Sequence, residues 1–531
     1  MLIHINAAKC VGIDAVPVTV EVDVINGIGI HLVGLADVAV KESLLRTITA
    51  LQSMGFRIPG KKIVINLAPA HLPKSGSGYD VPIALGIIAA SQQRDLPGLG
   101  RYIIMGELGL DGSVREVPGA LPMVELAGKQ GLSGAILPVR SAMEAVENRD
   151  TLLFGVETLA DVLAILEEKE DPAEMLIWNT PRFQQAQRQA QQQKAAPSYM
   201  DFADIIGQEG AKRAIEIAAA GGHNLAMVGA PGAGKSSLAR ALAGILPPMT
   251  TEEALQTSKI YSVAGKRSGE VFGLIRERPF RSPHYSASLP AIVGGGGGDN
   301  ILPGEITLAH HGVLFLDELA QMPKATIEAL RGPLEDRKVT ISRLRMKLEY
   351  PASFMLVAAS NPCPCGYYGE GERCTCTAGQ RTNYLSRLSG PIMDRIDIHL
   401  WLHPVDPKLL VHRGKGVWRE SSAQVAARVA AARVLQRERF AGTGIFTNAE
   451  MSGKQVEQYC PLSDACRDQL ETLMLRMGLS ARAYTRILKL SRTIADLQAV
   501  SGGTPPGDIC PEHLIEASSY RFLDRRDLLD P

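Results

Sequence analysis

The chain has 531 residues, 45% of them hydrophobic, with 56 basic and 56 acidic side chains and eight cysteines. That length implies about three domains with sizeable cores, and the even charge excludes a globally basic nucleic-acid binder, so any surface for a polyanion has to be local. No apolar run approaches the roughly 20 residues of a membrane span, and a chain this long with so few cysteines is no disulfide scaffold. The first residues, Met1-Leu-Ile-His-Ile-Asn6, alternate like a strand without a basic leader. A cytoplasmic protein with no membrane partner is therefore expected.

Residues 1–175 read as one α/β domain. Val18–Val24 alternates with period two and Lys61–Leu67 reads as a second strand, with a helical period over 39–51 between them. A buried helix is expected over 81–90, strands over 102–105 and 134–138, and a helix over 120–131. Two stretches, Pro73-Lys-Ser-Gly-Ser-Gly-Tyr-Asp80 and Gly106–Gly119, resemble the proteolytic domain of Lon proteases. Under that resemblance the nucleophilic serine falls on Gly78 and the lysine base on Leu121. Ser77 and Lys74 stand near these positions but out of register. A Ser–Lys dyad needs both groups within hydrogen-bond reach. The expectation is a Lon-like fold without protease chemistry, serving docking or assembly.

Residues 176–199 form a linker. Phe183–Lys194 holds seven glutamines and almost no apolar residue, so it offers nothing to a core and reads as a solvated helix or a tether.

Residues 200–405 carry the chemistry. Gly229-Ala230-Pro231-Gly232-Ala233-Gly234-Lys235-Ser236 fits G-x-x-x-x-G-K-[ST], between the apolar run Asn224–Val228 and a helix-forming stretch from Ser237. Such a loop wraps phosphates with inward N–H groups, and the following helix adds its positive dipole end. Lys235 is expected on the β- and γ-phosphates of ATP, with the Ser236 hydroxyl on Mg²⁺. Gly312–Glu318 is an apolar strand ending in two carboxylates. Asp317 is expected to hold Mg²⁺ and Glu318 to orient the attacking water. Phe354–Ser360 is a third strand that delivers Asn361, which resembles the sensor 1 residue of AAA+ ATPases. Phe202–Gln208 resembles the segment that cradles adenine there. Gly390-Pro-Ile-Met-Asp-Arg-Ile-Asp397 resembles the stretch that carries the arginine finger. Arg395 then completes a neighbour's site, the alternative being a local salt bridge to Asp394 or Asp397.

Two insertions stand out. Ser286–Gly304 holds a five-glycine tip. Asp336–Tyr350 alternates on both sides of a bend and reads as a β-hairpin carrying Arg343, Arg345 and Lys347. It resembles the pre-sensor-1 hairpin of the AAA+ branch that includes magnesium chelatases and MCM helicases. Its cations suit a phosphate backbone, or they guard an exposed edge. Cys363-Pro-Cys365 and Cys374-Thr-Cys376 place four thiols within fourteen residues. That composition suits a structural Zn²⁺ site. Two disulfides, a redox switch or free thiols remain open. Cys10, Cys460, Cys466 and Cys510 have no ligand spacing and are expected in cores.

Residues 406–531 read as helices over 423–437, 464–476, 481–497 and 511–517, a lid of the kind that follows an AAA+ core. Gly478–Arg486 resembles sensor 2, an arginine that reaches the γ-phosphate. Arg482 is the first choice and Arg486 the second. In order and motifs the chain resembles the ComM/YifB-like family, relatives of magnesium chelatase, over nearly its whole length. The resemblance implies a hexameric ring that assembles with ATP on single-stranded or branched DNA, acts as a helicase in branch migration, and serves recombination in natural transformation alongside recombination proteins. A metal-chelatase motor and a protein remodeller are the alternatives.

Overall fold

The first hairpin sets the frame of the N-terminal half. β1 (Ile3–Val11) and β2 (Asp14–Ile25) pair antiparallel through a two-residue turn at Gly12–Ile13. In β2, Val18, Val20 and Val22 are buried while the residues between them are not, as the period-two reading expects. β3 (Ile30–Val33), helix α1 (Val38–Ser53), β4 (Lys62–Ala68), α2 (Asp80–Ala90), β5 (Tyr102–Ile104), α3 (Ala120–Lys129), β6 (Gly134–Pro138), β7 (Leu152–Val156) and α4 (Leu159–Glu167) complete the unit. Seven strands lie in the order β3-β4-β2-β1-β5-β6-β7. Helix α2 is buried on every face. Gly86 lets it touch the sheet, since a Cβ there would fall 2.3 Å from the Val22 side chain. The computed structural model describes residues 1–169, 172–192, 199–267, 272–297, 301–343, 346–388, 390–405, 420–505 and 507–521.

The glutamine-rich stretch is a helix, α5 (Pro181–Gln192), as far as it is described. Phe183 anchors it, buried and 5.2 Å from the Phe272 ring.

The second half begins with α6 (Glu209–Gly221), β8 (Leu225–Gly229), α7 (Lys235–Gly244) and α8 (Thr251–Val263). β9 (Phe280–Arg281), β10 (Val313–Leu316), α9 (Arg331–Asp336), β11 (Lys338–Arg343), β12 (Met346–Pro351), β13 (Met355–Ser360), α10 (Ala378–Leu385) and β14 (Ile398–Leu402) follow. Five parallel strands lie in the order β9-β10-β13-β8-β14. Strands covered on both faces read as unbroken apolar runs, which is why Val313–Leu316 and Met355–Ser360 do not alternate. β11 and β12 form the hairpin, with Val339, Ile341, Leu348 and Tyr350 buried beneath it. Gly294–Gly295 pairs with Leu302–Pro303, and of the five-glycine tip Gly298 lies outside the described residues.

The C-terminal part packs α11 (Ser422–Arg439), α12 (Gly453–Tyr459), α13 (Asp464–Met477), α14 (Ala481–Gly502) and α15 (Pro511–Ser519). Arg433 and Gln436 on α11 donate to the carbonyls of Ala219 and Ala220, which closes the last turn of α6. Cys460 and Cys466 are buried here as expected, but Cys510 is exposed, because it sits in the cap that starts α15 rather than inside it. Among the described residues no helix is long and apolar enough to cross a membrane.

The two α/β units share a contact built on α8. Lys259 bridges Glu125 at 2.6 Å and Asp14 at 3.2 Å. The Ser262 carbonyl accepts from Gly119 N–H, and Ser262 Oγ donates to Glu144. Burial pushes the Glu144 carboxyl up to about 6, against the opposing pull of Arg267 and Ser262. A carboxyl raised in the folded state binds its proton more tightly there than when unfolded. Its contribution is therefore present below pH 4.5 and lost as pH rises through 6, a change of about 2 kcal/mol for a shift of this size. We expect the thermal stability of this contact to fall between pH 4.5 and 6.5, and Glu144→Gln to flatten that slope in scanning calorimetry. An unchanged slope would remove Glu144 as its source.

Candidate nucleotide site

Strand β8 ends at Gly229, and the phosphate-loop residues turn directly into α7. Gly232 and Gly234 hold φ of 82° and 93°, a conformation that favours glycine and that lets the loop curl. A Cβ on Gly229 would meet the Leu402 carbonyl at 2.8 Å, so the loop's first position is pinned against β14. Lys235 Nζ donates to the Gly229 and Ala230 carbonyls at 2.6 and 3.0 Å, and to Asn361 Oδ1 at 3.1 Å. Burial lowers its pKa, while Asp317 and Glu318 pull the other way. The ammonium is therefore held in a partly dry site facing two carboxylates.

The parallel sheet brings the other groups to the same end. β10 and β13 flank each other, with β13 next to β8, so Asp317, Glu318 and Asn361 all follow strand ends on one rim. Ser236 Oγ donates to Asp317 Oδ2 at 3.3 Å. A hydroxyl and a carboxylate facing each other are hard oxygen donors, the set that suits Mg²⁺. These two residues would hold the ion, which supplies charge neutralisation for phosphate oxygens. Ser237 follows in the first turn of α7. Glu318 adopts φ 52°, left-handed backbone that is uncommon for a residue with a side chain. Such strain costs about 1–3 kcal/mol and is typical of functional positions.

Two further residues complete this site: Gln208, the last residue of the segment expected to cradle adenine, and Tyr384, which was not singled out from the sequence. Gln208 bridges the loop to β14, donating to the Ala233 carbonyl at 3.2 Å and the His403 carbonyl at 2.6 Å. Tyr384 on α10 is buried, and it lies within electrostatic reach of Ser360 and Glu318. The first belongs to the Phe202–Gln208 stretch already read from the sequence. Nothing local marks the second.

The arginines lie elsewhere. Arg395 is buried and forms an ion pair with Glu335 on α9. Arg482 pairs with Asp394 at 3.3 Å, and Arg486, one turn on, with Asp397 at 2.8 Å. Asp397 Oδ2 accepts from Asn224 N–H, at the start of β8. Burial works to raise the Asp397 carboxyl, but Arg486, His223 and Lys489 outweigh it and hold it below its ordinary range. β8 spans about 13 Å at the usual strand rise. Arg486 therefore stands at the strand-start edge, about a strand's length from the phosphate loop. Arg482, expected to reach the γ-phosphate, takes up a placement against Asp394 in the single chain. The cause is the docking of α14 beneath the sheet, with His223 Nε2 and Thr493 Oγ1 at 2.8 Å.

On the hairpin, Lys347 is exposed and lies 3.6 Å from Glu349. Arg345 lies outside the described residues, and Arg343 closes β11 with its side chain undescribed. In the N-terminal unit Lys74 is fully buried and donates to the Leu67 and Pro69 carbonyls, while Ser77 donates to Glu107. The two are not paired. A Cβ at Gly78 would lie 2.9 Å from Met105, and Leu121 is buried with its N–H on Ser262 Oγ at 3.4 Å. Leu121, where the sequence resemblance placed the lysine, is an apolar residue covered by α8.

All eight cysteines are free. Cys363, Cys365, Cys374 and Cys376 converge so that their sulfurs lie within 4.8 Å of one another.

Comparison with known proteins agrees with this layout. Residues 201–410 match the family model "Magnesium chelatase, subunit ChlI", 20–141 match "Subunit ChlI of Mg-chelatase", and 419–521 match "Magnesium chelatase, subunit ChlI C-terminal". The chain is 42% identical to the uncharacterized protein YifB of Salmonella typhimurium, over 99% of this chain and 97% of that protein. It is also 42% identical to the competence protein ComM of Haemophilus influenzae, over 97% and 96%. The magnesium-chelatase 67 kDa subunit of Heliobacterium mobile matches at 26% identity over 32% of this chain and 29% of that protein.

Proposed function

The chain belongs to the magnesium-chelatase-related family of ATPases that includes ComM and YifB, and from that premise we propose that it is an ATP-driven DNA motor that works as a ring. The observation that carries ATP hydrolysis is the convergence of Lys235, Ser236, Asp317 and Asn361 on one sheet rim. The loop cradles the phosphates, Ser236 and Asp317 hold Mg²⁺, Glu318 polarises water, and Asn361 fixes Lys235 and that water. Ring assembly is supported by Arg395 and Arg482, which in the single chain are paired with Glu335 and Asp394. In a closed ring such groups serve the adjacent subunit's site. A hexamer is the form that the family resemblance implies.

DNA as the cargo is supported by the basic hairpin and by the competence protein of Haemophilus influenzae among the relatives. On this reading the motor acts on single-stranded or branched DNA and promotes integration of DNA during natural transformation, with recombination proteins beside it. The N-terminal unit, Lon-like in outline, serves as a mounting for α8 rather than as a protease.

The test is strand displacement and branch migration on three-way and four-way junctions, with ATPase rates measured with and without forked DNA. Replacing Arg343, Arg345 and Lys347 together by alanine is expected to abolish DNA stimulation while leaving basal hydrolysis. Each lost phosphate contact lowers the slope of log affinity against log salt by about 0.7–0.9. A slope that stays the same in the triple variant, or a wild-type ATPase indifferent to DNA, would sink the motor reading.

A further inference from the structure

Four thiols that the ATP chemistry does not use sit beside it. Cys363, two residues after Asn361, opens a loop that returns through Cys374 and Cys376 into α10. The Cys363–Cys365, Cys365–Cys374 and Cys363–Cys374 sulfur separations are 3.3, 3.7 and 3.8 Å, and the Cys365 N–H points at Cys376 Sγ at 3.4 Å. A disulfide would need about 2.05 Å. Four thiolates about 2.3 Å from one tetrahedral ion are about 3.8 Å apart. The spacing therefore suits a single ion, and it is too tight for an iron–sulfur cluster, whose cysteines bind separate iron atoms. An all-sulfur tetrahedral set favours Zn²⁺ among divalent ions.

The loop is also built into the nucleotide site. Gly366 holds φ 88°, and a Cβ there would lie 2.9 Å from Pro231 of the phosphate loop and 3.9 Å from Asn361. Tyr368 meets the Trp401 ring of β14 edge-on at 6.3 Å, with Arg381 stacked over it at 4.5 Å. Thr377, next to Cys376, caps α10, the helix that carries Tyr384 toward Glu318. One cysteine pair is thus tied to Asn361 and Pro231, the other to the helix behind Glu318.

We propose that Cys363, Cys365, Cys374 and Cys376 bind one Zn²⁺, and that this knot positions Asn361 and the phosphate loop for hydrolysis. The second half rests on the ATPase reading, whereas the first does not. The cysteines are positioning residues, acting through Asn361 and Pro231.

The full chain, purified without added metal, is analysed by mass spectrometry of its metal content and by zinc release to a chromogenic chelator on thiol modification. About one zinc per chain is expected, falling below a tenth of that in Cys374→Ser/Cys376→Ser. Cobalt exchange into wild type should give thiolate-to-metal charge-transfer bands and the strong visible bands of a tetrahedral site. A wild-type chain that carries no zinc and develops no such cobalt spectrum overturns the site, and a coloured iron centre overturns the assignment to zinc. Gly366→Ala keeps all four thiols but presses on Pro231. It is expected to retain its zinc and to lose ATPase kcat at least fivefold, with the KM for ATP changed less than twofold. Unaltered kcat in Gly366→Ala, or in folded metal-depleted wild type, overturns the coupling. Because zinc content needs neither ATP nor DNA, failure of the site and failure of the motor reading are separate results.

Discussion

ATP hydrolysis is expected to fall at least a hundredfold in both Lys235→Ala and Glu318→Gln, but ATP binding should separate the two variants. Lys235 Nζ is the cation that ties the Gly229 and Ala230 carbonyls to Asn361. When a triphosphate enters, those three acceptors have to yield the ammonium to phosphate oxygens. Its removal deletes the charge that faces the ligand and also frees Asn361. Binding and turnover should therefore drop together. Glu318→Gln keeps size and shape but cannot take up a proton or polarise water with a full charge. Loss of a general base of this kind is worth about 10²–10⁴ in rate. The variant should hold ATP as tightly as wild type, or more tightly, and accumulate the bound state. Fluorescent-nucleotide titration alongside phosphate release distinguishes these outcomes. A Glu318→Gln variant that turns over ATP at near the wild-type rate would remove this carboxylate from the mechanism and direct attention to Asp317.

The same site marks what a sequence can and cannot convey. The phosphate loop is legible because its chemistry is local: glycines for curvature, a lysine and a hydroxyl at fixed offsets, a strand before and a helix after. Asp317, Glu318 and Asn361 are legible one step removed, as polar residues that interrupt long apolar runs. The parallel order that gathers them is a tertiary fact, yet each strand end announces its own residue. The helices of the C-terminal part follow from periodicity for the same reason. Arg395 and Arg482 differ. Their motifs identify the residues, but their partners, Glu335 and Asp394, are 60 and 88 positions away in the chain, and no periodicity links them. The sequence placed Arg482 over its own phosphates because the motif lies on a lid helix. The docking of α14 against Asp397 and His223, which sets Arg482 beside Asp394, is not legible in that motif. The mounting of the N-terminal unit on α8 was likewise invisible. Lys259, Ser262, Glu125 and Glu144 look like ordinary helix-surface residues until two domains meet.

Arg395→Ala is expected to lower ATP turnover of the assembled protein by about 10³ or more, the range for an arginine that stabilises charge on the transferred phosphoryl. Two features make the prediction sharp. Arg395 is buried against Glu335 in the single chain, so it has to exchange that carboxylate for a neighbour's phosphate on assembly. Its backbone carbonyl also accepts from Asn224 Nδ2 at the start of β8, about a strand's length from its own phosphate loop. Removing it should therefore spare ATP binding by the isolated chain. The alternative, a structural salt bridge, predicts another pattern: a lowered melting temperature, since Glu335 is left without its cation, and rescue by Arg395→Lys. A phosphoryl-stabilising arginine is poorly replaced by lysine, which lacks the planar pair of donors. Mixing decides between them. Arg395→Ala and Glu318→Gln chains are each expected to be inactive alone. In random mixed rings roughly a quarter of the interfaces join an intact Glu318 from one chain to an intact Arg395 from the next, if each side is drawn independently. Those interfaces should hydrolyse ATP, so activity reappears on mixing two dead proteins. A mixture that stays inactive while the chains demonstrably co-assemble would return Arg395 to a purely structural role, and the ring would then need another group to complete its sites.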